Sequence, residues 1–270
     1  MALTIAGSDS GGGAGIAADL KTFAALGVHG ACAITCVTAQ NPDRVAAVQA
    51  CRPAMVRAQI LVVAEALAPA AVKTGMLHSA ALVRAVVAAL ADALPGTPLV
   101  VDPVMVATSG ARLLAAAGIR ELQRHLLPRA TLVTPNLDEV AVLLGRRPET
   151  LEDMRAAARG LHGRYGCAAL VKGGHLPGGR EAADIFFDGR EELLLTAPMI
   201  PGLRTHGTGC TYAAAITAGL AAGCDLPTAV TRAKSFMAGA LAHGYVTGEH
   251  FHLRQVVSGG RSGLPRAAAE

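Results

Sequence analysis

Gly207-Thr208-Gly209-Cys210 runs directly into Thr211-Tyr212 and the alanines Ala213-Ala214-Ala215. Two glycines separated by one residue let the backbone turn tightly and come close to a ligand. The run that follows predicts a helix, whose first N–H groups lack partners and carry the positive end of the helix dipole. Such an end is a seat for a phosphate or an oxyanion. Cys210 falls there, where a thiol is expected to ionise more easily and to act as base or nucleophile. Taken alone, the stretch is explained as well by a tight turn before a buried helix, with Cys210 as a small apolar side chain.

Other candidates fall at the ends of apolar runs. Asp102 follows Leu99-Val100-Val101, and Glu139 opens a helix after Thr134-Pro135-Asn136. Carboxylates so placed can hold magnesium through water, because that ion keeps much of its hydration shell. Lys172 ends Ala169-Leu170-Val171 beside two glycines, where an ammonium can neutralise phosphate. Asp9, Gln40, Lys73 and Asn136 occupy comparable positions, and His175 and His206 stand in loops. Phosphoryl transfer asks for cations, a metal, an anion-stabilising turn and a base aimed at a hydroxyl, and candidates for all four are present. Gly13-Ala14-Gly15-Ile16-Ala17-Ala18 has the dinucleotide-binding form, but no carboxylate follows at the end of the next strand. The GxxxxGK[ST] phosphate loop and the GxSxG elbow are both missing.

The elements that must position these residues alternate. A short strand at 3–6 precedes a polar glycine loop, a helix from Ala14 to Gly27 and a strand over 31–38 that stops at Gln40-Asn41-Pro42. The first two strands are expected to be parallel neighbours joined by a right-handed crossover. Pro53 starts a helix to Leu67, a strand ends at 71–76, and Ser79 caps a helix through Ala91. The spacing then predicts a strand over 99–103, a polar loop at 107–110, a helix over 112–127, a strand over 131–135 and a helix to Gly145. A helix over 151–165, a strand over 169–175 and an antiparallel hairpin across Asp188-Gly189-Arg190 come next. A helix over 227–242 follows the opening stretch. The pattern is three-layered α/β, with a mostly parallel central sheet and an antiparallel hairpin near one edge. Ligands of such sheets bind beyond the carboxyl ends of the strands, where the candidates collect.

The chain has 270 residues, 52% of them hydrophobic and 16% charged, which is enough to bury a large core. A formal net charge of +4 is carried by scattered arginines without interleaved aromatics, so nucleic acid is not an expected partner. No apolar run reaches the ~20 residues of a membrane span. The first residues read as a strand rather than a leader, and a cytoplasmic location is expected. The six cysteines form no CxxC pair and are expected to be reduced. Residues 1–257 read as one domain and 258–270 as a flexible tail.

Several motifs carry a resemblance. They are Ile5-Ala6-Gly7-Ser8-Asp9-Ser10-Gly11-Gly12-Gly13-Ala14-Gly15-Ile16 with Asp19-Leu20-Lys21-Thr22-Phe23, then Thr38-Ala39-Gln40-Asn41 and Val72-Lys73-Thr74-Gly75-Met76. Val101-Asp102-Pro103-Val104-Met105 with Ser109-Gly110, Thr134-Pro135-Asn136-Leu137-Asp138-Glu139, Val171-Lys172-Gly173-Gly174-His175 and Thr205-His206-Gly207-Thr208-Gly209-Cys210 complete the set. Over residues 2 to 252 the chain resembles the hydroxymethylpyrimidine/phosphomethylpyrimidine kinases of thiamine biosynthesis, in the ribokinase-like superfamily.

The resemblance implies a ribokinase-like αβα sandwich, ATP as co-substrate, Mg2+ and a homodimer. It implies that Gln40 reads the amino and ring-nitrogen edge of the pyrimidine, with Gly11, Ala14, Met76, Val104 and Asp19 around it. Asp102 and Glu139 would organise magnesium. Lys172, Thr205, His206, Thr208 and Asn136 would meet the nucleotide, Gly207 and Gly209 would form the anion hole, and Cys210 would be the base. The implied reaction is two successive phosphorylations, alcohol to monophosphate and monophosphate to diphosphate. A pyridoxal or pyridoxine kinase of the same subfamily is the alternative, and a non-catalytic ligand-binding relative lies further off.

Overall fold

A computed structural model describes residues 1–106, 110, 112–174, 181–200 and 205–255. Strand β1 (Ala2–Ala6) is buried along its whole length, and α1 (Gly15–Ala25) leads to β2 (Gly30–Ile34). Strands β1 and β2 pair in parallel, as the sequence predicts. The expected strand over 31–38 is in fact two. Its second half leaves the sheet after Thr35 as β3 (Cys36–Gln40) and pairs antiparallel with β4 (Val45–Ala50). Thr35 marks the break: its N–H makes the last bond to β1, at the Ala6 carbonyl, and its hydroxyl donates to the Met76 carbonyl.

Helix α2 (Pro53–Leu67), β5 (Ala71–Thr74), α3 (Ala80–Ala93) and β6 (Leu99–Val101) continue the alternation. The Ser79 hydroxyl accepts the Leu82 N–H and caps α3 as expected. The helix expected over 112–127 begins only at α4 (Ala116–Glu121). It continues through a π turn at Leu122–Leu126 and a 3-10 turn at Leu127–Arg129, while Arg112 instead bridges Val106.

Next come β7 (Leu132–Val133), α5 (Leu137–Leu144), α6 (Leu151–Tyr165), β8 (Ala168–Lys172), and the antiparallel pair β9 (Glu181–Phe187) and β10 (Glu192–Pro198). Helices α7 (Thr208–Ala221) and α8 (Leu226–Ala242) precede a small hairpin that sequence periodicity misses, β11 (Tyr245–Thr247) with β12 (His250–His252). The expected loop at 107–110, except Gly110, lies outside the described residues, as do His175 and the expected tail at 258–270.

The main sheet has the order β10-β9-β8-β7-β6-β5-β1-β2, parallel from β8 to β2. Side chains alternate across it. Leu3, Ile5, Val72, Leu99, Val101, Val133 and Val171 enter the core under α2, α3, α5 and α6, while Val100, Leu132, Leu170 and Phe186 enter the core under α7 and α8. The strand order reverses direction between β1 and β5, so the loops after these strands diverge and leave a crevice at their carboxyl ends.

Candidate active site

The glycine turn sits on that crevice. Gly207 has φ +79°, and a Cβ there would overlap the Gly13 carbonyl oxygen, so only glycine closes this contact. Helix α7 starts immediately after it. Thr211 donates the first helical hydrogen bond, back to Gly207, which leaves the N–H groups of Thr208, Gly209 and Cys210 without helical partners. A Cβ on Gly209 would lie 3.1 Å from Lys172 Nζ and 3.8 Å from Asp102 Oδ2. The open end of the helix therefore faces a lysine and a carboxylate.

Lys172 ends β8 and Asp102 follows β6, two strands away across β7. Lys172 Nζ donates to Asp102 Oδ1 at 3.1 Å, and Thr134 Oγ1 approaches the same oxygen at 3.3 Å. Burial alone would lower the lysine pKa, but Asp102 and then Glu139 outweigh it and hold the ammonium above its ordinary value. Glu139 and Asn136 form a capping box at the start of α5. Asn136 N–H donates to Glu139 Oε2 at 2.9 Å, and Glu139 N–H donates to Asn136 Oδ1 at 2.8 Å. Burial raises the Glu139 pKa to about 7, with Lys172 opposing and Asp102 adding to the rise. Two carboxylates around one ammonium thus carry a surplus of negative charge that a cation would relieve. Among the described residues no three His, Cys, Asp or Glu side chains gather into a metal cage.

Cys210 corrects an expectation. Burial pushes its thiol up to about 11, while the nearby Lys73 ammonium pulls the other way and Asp19 and Asp102 add to the rise. The helix end does not lower its pKa in the free protein, because desolvation of the thiolate outweighs that favourable field. Asp19 corrects a second one. Its carboxylate has no exposed surface, and both oxygens are taken by Lys73 Nζ at 2.7 and 2.8 Å, with Thr4 Oγ1 donating at 2.6 Å. It supports the site from below and has no face to offer a substrate.

The expected pyrimidine residues divide. Met76 and Val104 do come together, in an apolar cluster with Cys36, Leu113, Val45 and Val48, so β3 and β4 supply a wall that the sequence conceals. The glycine against this wall is Gly7, whose Cβ would meet Cys36 Sγ at 2.7 Å and Met76 Sδ at 3.3 Å. Gly11 lies against Asn41 and the Gln40 carbonyl and lines a cleft with Gly13, Lys21, His206, Tyr245 and His252. Ala14 N–H donates to Asp9 Oδ2, as does Gly13, while Gly11 donates to Oδ1, so one carboxylate ties the glycine loop together.

His206, expected at the nucleotide, stands beside the glycine loop. Its Nε2 lies 2.9 Å from Asp9 Oδ2 and 3.5 Å from the Gln40 amide nitrogen, on the glycine-loop side of the crevice. Thr205 bridges Phe251 of β12, and Thr208 and Asn136 stand at the starts of α7 and α5. Two buried groups escape a sequence reading. Asp184 on β9 takes Lys234 Nζ at 2.7 Å and Gly173 N–H at 3.0 Å, and so anchors the strand end that carries Lys172. Nothing in the spacing of 173, 184 and 234 announces this contact.

An open helix end that faces a lysine and a carboxylate can hold a migrating anionic group. On a layered sheet of this topology, that makes the chain a ribokinase-like phosphotransferase. The family profile described as phosphomethylpyrimidine kinase matches residues 9–254. A hydroxymethylpyrimidine/phosphomethylpyrimidine kinase of Streptomyces coelicolor is 48% identical over 250 residues, covering 92% of this chain and 91% of the relative. Among solved structures, an ADP complex of Bacillus subtilis pyridoxal kinase aligns with TM-score 0.86 and 34% identity, covering 94% of this chain and 96% of that one. The phosphomethylpyrimidine kinase of Clostridium difficile aligns with TM-score 0.77 and 38% identity, covering 87% and 96%. The chain belongs to the phosphomethylpyrimidine kinase family.

Proposed function

We propose that the chain transfers the terminal phosphoryl group of ATP to the hydroxymethyl oxygen of 4-amino-5-hydroxymethyl-2-methylpyrimidine, and then a second one to the resulting monophosphate. The observation that carries this reading is the open N-terminus of α7 aimed at Lys172 and Asp102. The N–H groups of Thr208, Gly209 and Cys210 hold the oxygens of the migrating group, and Lys172 offsets their charge. Cys210 receives the hydroxyl proton as a thiolate, a form that the Lys73 ammonium favours and burial opposes. Gln40 reads the pyrimidine edge above the wall of Met76, Val104 and Cys36. Thr205, Thr208 and Asn136 lie around the nucleotide in this reading. Magnesium, carried by Asp102 and Glu139, would supply the positive charge that shields the nucleotide phosphates. A homodimer in the cytoplasm belongs to the same reading.

The solved pyridoxal kinases favour a second reading, because the Bacillus subtilis enzyme superposes with the higher TM-score. Pyridoxal or pyridoxine would then be the alcohol. The purified chain with ATP, magnesium and either the aminopyrimidine alcohol or pyridoxal decides between them, with product masses recorded. The expected result is pyrimidine monophosphate followed by diphosphate; faster turnover of pyridoxal overturns the first reading.

A further inference from the structure

Lys172 at the end of β8 stands opposite Asp184 of β9, the last registered pair between these strands. The side chains of such a pair share one face of the sheet, with Cβ atoms about 5 Å apart, an easy reach for a lysine. Each is two residues from a member of the core under α7 and α8, Leu170 or Phe186, and so faces those helices. Two carboxylates therefore flank the Lys172 ammonium, Asp184 on one side and Asp102 on the other. Lys172 leans to Asp102, at 3.1 Å, and stands against the open end of α7 beside Gly209.

The reason lies on α8. Lys234 Nζ donates to Asp184 Oδ2 at 2.7 Å and to the Ala182 carbonyl at 2.8 Å. Asp184 Oδ1 shares the Gly173 N–H with the Ala183 carbonyl, at 3.0 Å from each. Tyr212 on α7 also lies beside this carboxylate; burial, then the charge of Asp184, holds its phenol protonated. A phenol and an amide can donate to Asp184, but Lys234 is the group that neutralises it. Asp184 is 4% exposed and Lys234 9%, so water screens this pair little. A buried carboxylate stripped of its cation is costly, and an ammonium within reach relieves it.

We propose that Lys234 is a positioning residue: by occupying Asp184 it leaves the Lys172 ammonium for Asp102 and for an anionic group held at the open end of α7. This rests on the reading that Lys172 meets the phosphoryl group in transfer. Without Lys234, Asp184 competes for Lys172 from the neighbouring strand, and the ammonium swings away from the helix end. The pairs Lys172 with Asp102 and Lys234 with Asp184 are thus one charge arrangement, in which the second pair keeps the first in place.

The test compares the two ways of breaking the Lys234–Asp184 pair, with kcat and KM read for ATP and for the alcohol that the chain phosphorylates faster. Lys234→Met leaves the carboxylate to draw Lys172 and should lower kcat/KM for ATP by about 10–100-fold, the scale of a hydrogen bond to a charged group. The KM of the alcohol should stay within about twofold. Asp184→Asn breaks the same pair but removes the competitor and still accepts the Gly173 N–H, so it should cost far less. The double variant, Lys234→Met with Asp184→Asn, should recover most of the activity that Lys234→Met loses. Thermal melts accompany each variant. If Lys234→Met does not fold, Lys234→Gln replaces it, since its amide can donate to Asp184 without neutralising it. Equal losses in the two single variants that follow the melting temperature, with no recovery in the double, mean that the pair serves only the fold and overturn the proposal. Lys172→Met is the control. A loss there, with no difference between Lys234→Met and Asp184→Asn, removes the role of Lys234 and leaves the reading of Lys172 standing. If Lys172→Met turns over ATP normally, both fall.

Discussion

Lys73 Nζ lies 2.7 and 2.8 Å from the two carboxylate oxygens of Asp19, and neither side chain has any exposed surface. Burial works against the ammonium, but Asp19, Cys210 and Asp102 together hold the Lys73 pKa above its ordinary value. The lysine is therefore a fixed positive charge under the floor of the site, set where three acidic groups converge.

Removing only the lysine strands a buried carboxylate. Lys73→Met should cost about 3–5 kcal/mol of folding stability, the range for breaking one side of a buried pair. Asp19→Leu combined with Lys73→Met should recover most of that stability but not the activity, because the field on Cys210 stays lost. Urea unfolding and steady-state turnover measure the two effects. A double variant with normal turnover would show that Lys73 serves only the fold.

Cys210 carries a sharper expectation because its thiol sits at about 11 in the free protein. Alkylation of Cys210 by iodoacetamide should be slow at neutral pH and accelerate as pH rises toward that value, since the thiolate is the reactive form. Cys210→Ala should lower kcat by ~100-fold or more, the usual share of a general base, with the ATP KM nearly unchanged. Unchanged turnover would reduce Cys210 to a packing residue.

The two glycines of the turn should respond differently. Gly207→Ala faces both a positive φ and a backbone carbonyl that cannot yield, so the turn should open and kcat fall by ~100-fold or more. Gly209→Ala meets the end of the Lys172 side chain, which can yield by rotation. That variant should fold normally, with a raised ATP KM and a smaller loss of kcat. Equal losses in both would mean that the turn tolerates a side chain and is not shaped by the Gly13 contact.

The sheet was legible because its period-two alternation and the helix starts at Ser79, Asn136 and Pro53 are local signals. So were Lys172 and Asp102, which end apolar strands. The β3–β4 pair was not, since Cys36-Val37-Thr38 continues the β-rich pattern of β2, and only the contacts of Thr35 divide them. Burial was equally out of reach. The helix position of Cys210 suggested an acidic thiol, while its desolvation depends on α1 and β5 packed around it. Asp9 with His206, and Asp184 with Lys234, are separated in sequence by 197 and 50 positions and leave no pattern to count.

Glu139 provides the pH test. Its carboxyl rises from an ordinary 4.5 to about 7, chiefly by burial, with Asp102 adding to the shift and Lys172 opposing it. Between these two pH values the folded chain keeps a proton that the unfolded chain has released. Folding stability is thus fully supported by this group below pH 4.5 and declines as pH rises to about 7, by on the order of 3 kcal/mol. Urea unfolding without nucleotide or divalent cation should show that decline, and Glu139→Gln should flatten it, because the amide still accepts the Asn136 N–H. Magnesium reverses the preference by favouring the ionised carboxylate, so its binding should release protons near pH 6 and tighten as pH rises. An unaltered slope in Glu139→Gln, or proton release that persists in it, would place the titrating group elsewhere and remove Glu139 from the cation site.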